Sequence, residues 1–233
     1  LRTFFGYMMA HPGKKLLFMG QDFGQFIEWD EKKPLDWMLL GYDKHRELQS
    51  YVRDLNHFYR DTPALWQVDY SWKRFQWIVP DDSKQSVIAF LRRDAAGKMV
   101  LVVCNFNPVL RKEYQMGVPN PGSYKEILNS DDKKYGGSGV TNGTGKAKKG
   151  PMHGFDQHIS LTLPPLSTLY LSGPAARKPR AAKTEDKAAE KPAKPAAKKT
   201  AKTTAKTAAP AADAGTEAAP KRRGRPPKAK TTV

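Results

Sequence analysis

The segment from Gln21 to Tyr42 gathers the residues best equipped for chemistry. Asp22, Gln25, Glu28, Asp30 and Asp36 are interspersed there with Phe23, Phe26, Trp29 and Trp37. A pair of carboxylates is the minimum equipment for acid–base or nucleophilic work on a polar substrate. Asp22 and Glu28 are the best local pair, although loop acids are more often simply solvated. Other chemistries find less support. The single cysteine, Cys104, cannot form an internal disulfide, which fits a reducing cytoplasm. One cysteine and five scattered histidines lack the short spacings of a metal site, so neither a metal ion nor a cofactor is expected.

Those residues need a frame. Leu1 to Ala10 is apolar on nearly every face, with Phe4, Phe5, Tyr7, Met8 and Met9 in one stretch, and reads as a helix packed between other elements. His11-Pro12-Gly13 stops it, because proline disfavours helix in the residue before it. Lys15 to Gly20 is a short, continuous apolar run, expected as a strand covered on both faces in a parallel sheet. The acid- and aromatic-rich loop would then leave the carboxyl end of that strand, where α/β folds place their sites. Lys44 to Asp61 is the clearest helix, with Leu48, Tyr51, Val52, Leu55, Phe58 and Tyr59 on one stripe. Thr62-Pro63 ends it.

From about residue 66 the pattern changes to short strands. They are expected at 73–78, 86–92, 99–105, 113–118, 123–129, 159–163 and 168–171, with turns at Asp81–Ser83 and Ala95–Gly97. Met99 to Cys104 is apolar on both faces and should be the central strand. Gly136 to Gly154 reads as a Gly- and Lys-rich loop. Short strands with frequent turn signals indicate an antiparallel sandwich. Residues 174–233 differ again, with 17 Lys and Arg against 5 Asp and Glu and no aromatic residue. Such a segment buries too little apolar area to offset its ordering entropy and is expected to be disordered. The expected domains are therefore the end of an α/β unit (1–65), an all-β domain (66–173) and a basic tail (174–233). No apolar run is long enough for a transmembrane helix, so no membrane role is expected. The chain starts at Leu1 rather than Met, already mid-helix and without signal-peptide features, and is expected to be a piece of a longer protein.

Several motifs carry a resemblance. Lys14-Lys15-Leu16-Leu17-Phe18-Met19-Gly20-Gln21-Asp22-Phe23, then Glu28-Trp29 and Leu35-Asp36-Trp37, resemble the glycogen (1,4-α-glucan) branching enzymes of the α-amylase superfamily. The similarity continues through Arg53-Asp54-Leu55-Asn56, Thr62-Pro63-Ala64-Leu65, Asn105-Phe106-Asn107-Pro108 and Leu128-Asn129-Ser130-Asp131, ahead of Tyr135-Gly136-Gly137. It is collinear to about residue 172. The resemblance implies a (β/α)8 barrel followed by an all-β domain, with Leu1–His11 as the seventh barrel helix, Leu16–Gly20 as the eighth strand and His45–Arg60 as the eighth helix. It implies an α-glucan (glycogen) substrate, cleavage of an α-1,4 bond and transfer to a 6-hydroxyl, with retention through a covalent intermediate. The nucleophile, the acid/base and a third acid would all precede Leu1, so the chain alone is expected to be inactive. Gln21, Asp22 and Trp29 become the substrate-proximal candidates, since a ring can stack on a sugar face while polar neighbours bond its hydroxyls. The family usually has Glu where this chain has Asp22. A trehalose-forming trehalohydrolase of the same superfamily shares the barrel end and is the first rival. Oligomeric state is left open.

Residues outside that motif set have plainer expectations. His11 reads as a helix-terminal residue favourable at the negative end of the dipole, and Cys104 as a small buried hydrophobe. Trp66, Trp72 and Trp77 are assigned to packing ahead of an accessory glucan platform. An isolated barrel end should expose Tyr7, Met8, Leu17 and Phe18 as an apolar patch and leave residues 1–65 poorly ordered or prone to aggregation. In the tail, Arg223-Gly224-Arg225-Pro226 resembles the core of an AT-hook, which reads A·T-rich minor grooves. The Ala-, Lys- and Pro-rich stretch from Ala181 to Lys206 resembles histone H1-type and nucleoid-protein tails. Either feature can bind DNA or another polyanion by counterion release, which makes a DNA-binding or nucleoid-associated protein the second rival.

Overall fold

In the computed structural model, which describes residues 1–175, two helices precede nine strands. The helices are α1 (Arg2–Ala10) and α2 (Asp43–Asp61). The strands are β1 (Phe75–Asp82), β2 (Val87–Arg93), β3 (Met99–Asn105), β4 (Arg111–Val118), β5 (Ser123–Asn129), β6 (Thr144–Lys146), β7 (Lys148–Met152), β8 (Phe155–Leu163) and β9 (Ser167–Gly173). They form a six-stranded sheet, β1-β2-β3-β9-β5-β6, and a three-stranded sheet, β4-β8-β7, with every pairing antiparallel. The seven strands expected after residue 66 are present, with bounds shifted by a few residues. The Gly- and Lys-rich stretch adds two short strands that sequence pattern alone leaves as loop, β6 beside β5 in the large sheet and β7 beside β8 in the small one.

β3 explains the layering. All seven of its residues are buried. Leu101 and Val103 face the small sheet, meeting Met116, Ile159 and Leu161. Val100, Val102 and Cys104 point the other way, into a second core with Phe5, Met9, Tyr51, Val52 and Leu55 of the two helices. Alternate residues of a strand face opposite sides, so continuous burial requires a cover on both. Here the covers are a second sheet and a helix layer. Pro80 sits on β1, an edge strand, where its missing N–H breaks no ladder.

The helices are bound to the sheet by polar contacts as well. The Thr168 hydroxyl donates to Thr3 O at 2.9 Å, and Tyr170 donates to Gly6 O. Gly6 permits this approach, because a Cβ there would lie 2.7 Å from the Thr168 Cβ. Arg92, only 1% exposed, donates to Ala10 O at 2.7 Å, Leu65 O at 2.9 Å and Asp69 Oδ1 at 2.9 Å. It therefore fastens the end of α1 and the turn after α2 to β2. The described residues belong to one compact unit.

Three expectations differ from the structure. Lys15 to Gly20 forms no strand, because among the described residues nothing lies alongside to complete a ladder; Leu16, Phe18 and Met19 are instead exposed. α1 buries one face, Phe5, Met9 and Ala10, while Phe4 remains 58% exposed. The predicted apolar patch shrinks, since Tyr7, Met8 and Leu17 pack partly buried against the helix–sheet core and only Phe18 of the four stays open. The tail and its Arg223–Pro226 motif lie outside the described residues.

Candidate functional site

Gln21–Phe23 forms a single 3-10 turn bracketed by Gly20 and Gly24. Phe23 is fully buried and its ring meets Trp37 at 5.2 Å, so the turn is anchored by its last residue. This points Gln21 and Asp22 in different directions. Gln21 bends back, its Oε1 accepting from the Phe18 N–H at 2.9 Å. Asp22 turns toward α2, where Gln49 Nε2 lies 3.5 Å from its Oδ2. Trp29 stands over Phe18, ring centroids 5.5 Å apart, and is 38% exposed. Gln21 and Trp29 thus share Phe18 as a neighbour, whereas Asp22 belongs to a separate groove. Glu28 is exposed, and it has no hydrogen bond or ion pair among the described residues. No acid–base pair with Asp22 is built.

The Asp22 groove has a volume of about 470 Å³ and is lined by Gln49, Val52, Arg53, Asn56, His57 and Arg60 of α2. Two amides and two guanidinium groups along one helix face, with the Asp22 carboxylate from the loop, can bond the hydroxyls of a polar ligand. Ring-stacking capacity lies apart, on Trp29 and on the exposed Phe26.

Gln25 organises the rest of the loop, a role that residue type alone does not reveal. Its Oε1 accepts from the Asp36 N–H at 2.9 Å while its Nε2 donates to Ile27 O at 3.1 Å. His45 on α2 donates from Nδ1 to Phe23 O at 2.7 Å, and Phe26 packs edge-on against the same imidazole. A long loop keeps its shape here through side-chain to backbone bonds in place of a ladder.

A second aromatic cluster surrounds His11. Phe75 lies 5.6 Å from its ring, Tyr7 5.3 Å, Trp72 6.4 Å and Trp77 6.4 Å. Burial lowers the His11 pKa below its ordinary value, against the Pro12 carbonyl that favours the charged form, and Lys15 and Arg92 push it down as well. Burial among these rings therefore outweighs the Pro12 carbonyl. Trp72 and Trp77 pack edge-on against Phe75 yet remain 68% and 39% exposed, so they serve packing and also present surface. Trp66 donates from Nε1 to Arg60 O at 3.0 Å. Cys104 is fully buried, and burial pushes its thiol up to about 12.

Comparison with known proteins gives this arrangement a context. Residues 77–173 match the C-terminal all-beta domain of alpha amylase, from early in β1 to the end of β9. The likeness covers more of the chain among curated relatives. The chain is 52% identical over 172 residues to the 1,4-alpha-glucan branching enzyme GlgB of Halothermothrix orenii, covering 73% of this chain and 27% of that protein. It is 56% identical over 173 residues to the 1,4-alpha-glucan branching enzyme GlgB of Aquifex aeolicus, covering 73% and 28%. For the enzyme of the same name from Rubrobacter xylanophilus the figures are 51% over 172 residues, 73% and 24%. Over about three quarters of its length the chain is similar to these 1,4-alpha-glucan branching enzymes. It spans about a quarter of the length of the curated relatives it matches.

Proposed function

We propose that this chain is the C-terminal part of a glycogen branching enzyme, a hexosyl transferase that cuts an α-1,4-glucan and joins the released chain to a 6-hydroxyl. The observation that carries this is the 52–56% identity over 172–173 residues to two enzymes of that name. Retaining transfer between sugars needs a nucleophilic carboxylate and an acid/base carboxyl facing one bond. Asp22 and Glu28 are not placed for that, since Asp22 turns to α2 and Glu28 is exposed. In this reading the reacting carboxylates come from sequence preceding Leu1. Residues 1–65 contribute the end of a barrel, and Gln21, Asp22 and Trp29 shape the rim over which a glucan chain passes. No cofactor is needed, and the cytoplasm, where glucan would be stored, is the proposed location.

The test compares this chain with a form extended upstream to the length of its relatives. Both are incubated with amylose, the products debranched, and the chain lengths resolved. The extended form should give α-1,6 branches and this chain none. No branches from the extended form, with trehalose released in a parallel reaction from a glucan that ends in an α,α-1,1-linked glucose, would favour the trehalohydrolase reading and overturn this one.

A second, separate reading concerns the tail. Arg223-Gly224-Arg225-Pro226 and the excess of lysine around it favour binding to DNA. The check is the affinity of the full chain for A·T-rich and G·C-rich duplexes across a salt series. Binding that is weak at low salt and equal for the two sequences would end this reading.

A further inference from the structure

We propose that the Ser130–Gly139 loop of the β domain clamps α2 and through it sets the position of the Gln21–Gln25 turn, with Tyr135 as the positioning residue. What the turn does for a glucan rests on the function proposed above. The mechanical coupling does not.

The loop is shaped by its own bonds before it meets the helix. Asp131, 4% exposed, accepts from Ser138 N at 3.0 Å and Val140 N at 3.3 Å, and its carbonyl takes Gly139 N at 2.8 Å. Ser130 Oγ accepts from Thr168 N at 2.8 Å, which ties the loop to β9. A loop built around a buried, bonded carboxylate is stiff. It presents one large side chain to α2. Tyr135, 1% exposed, donates to Asp54 Oδ2 at 2.8 Å and sets its ring 5.0 Å from Tyr51. Lys134 Nζ reaches the same Asp54 oxygen at 3.1 Å. One step on, Gly136 has a φ of +72°, and a Cβ there would stand 2.0 Å from Glu47 Oε2. Loop and helix are in full contact.

Glu47, Tyr51 and Asp54 are spaced i, i+4 and i+7, one stripe along α2. The neighbouring face of the same turns holds the candidate site. His45 donates to Phe23 O at 2.7 Å, Leu48 packs at Gly24 and Gln49 approaches Asp22. The first three turns of α2 therefore carry the clamp on one side and the Gln21–Gln25 turn on the other. A helix transmits displacement as a rigid element, so loosening one side frees the other.

Hydrogen exchange on the full chain, without glucan, tests this directly. Tyr135→Phe keeps the ring and removes the bond to Asp54; Asp54→Asn weakens the same contact from the helix side. Each should raise exchange in residues 20–30 by about tenfold, the scale of one charge-assisted hydrogen bond, with β3 unchanged. Unchanged exchange at 20–30 in both variants would overturn the clamp. So would a rise in step across 20–30 and β3, since that reports global destabilisation only. A separate titration of the wild-type chain with maltoheptaose, read by tryptophan fluorescence, bears on the glucan reading alone. Loss of that response with the exchange result intact would leave the coupling standing and remove its proposed use.

Discussion

Replacing Arg92 with Met is the most demanding test of how this molecule is held together. The guanidinium is buried and makes three bonds, to Ala10 O, Leu65 O and Asp69 Oδ1. Methionine retains much of the apolar stem and removes every donor. Asp69 is then stranded, with its side chain only 8% exposed. Breaking a buried pair from one side costs about 3–5 kcal/mol, because the remaining charge has lost its compensation. The two carbonyls add up to about 1–3 kcal/mol each where water cannot reach them. These contributions overlap, and a net loss of about 4 kcal/mol is expected. With a urea m-value of about 2 kcal/mol/M, the midpoint should fall by about 2 M. The second step separates stranded charge from lost packing: Asp69→Asn in the Arg92→Met background should recover about half of the loss. Urea unfolding followed by far-UV circular dichroism reads both. A loss under about 1 kcal/mol, or no recovery in the double variant, would show that Arg92 does not act as the bolt between the helices and β2.

Three further outcomes follow from the same contacts. Gly136→Ala combines a left-handed φ with a clash against Glu47, and should cost about 2–3 kcal/mol, seen as a lowered Tm. Cys104, buried and with its thiol pushed up to about 12, should resist a thiol reagent at pH 8 until the chain unfolds, so labelling should follow unfolding in urea. Burial raises the Asp54 carboxyl, but hydrogen bonds from Tyr135 and Lys134 outweigh it and hold the group below its ordinary value. A depressed folded pKa contributes stability above the unfolded value and loses it as pH falls through the folded one. The stability difference between wild type and Asp54→Asn should therefore be constant near neutrality and shrink below about pH 4; a difference that is flat to pH 2 would contradict the shift.

Legibility varied with the range of the forces involved. The α2 stripe from Leu48 to Tyr59 and the two-sided burial of Met99–Cys104 were readable because periodicity is local. The Lys15–Gly20 run was misjudged because an apolar run says only that cover is wanted. A strand also needs a ladder partner, and pairing is not local. Arg92 illustrates the same limit from the polar side. At the end of a predicted strand it resembles an ordinary solvent-facing charge, and its bond to Ala10 spans 82 positions of sequence. Within the candidate site, the residue types of Gln21, Asp22 and Trp29 were visible but their grouping was not. Phe23 decides it, because burying that ring turns its two predecessors to opposite sides.

The six-stranded sheet also accounts for where the candidate site sits. One face closes the sandwich and the other seats α1 and α2, so both cores draw on the same strands. The Gln21–Tyr42 segment touches neither core widely; its buried side chains are Phe23 and Leu39. Its shape depends on α2, through His45 and Leu48, and on its own Gln25 bridge. A segment with few buried contacts opens at lower free energy than the strands beneath it. Under the function proposed above, that is the physical condition for a rim that yields to a passing glucan chain while its base stays fixed. It also means that changes to α2 or to the loop beneath it should alter the rim before they alter the fold.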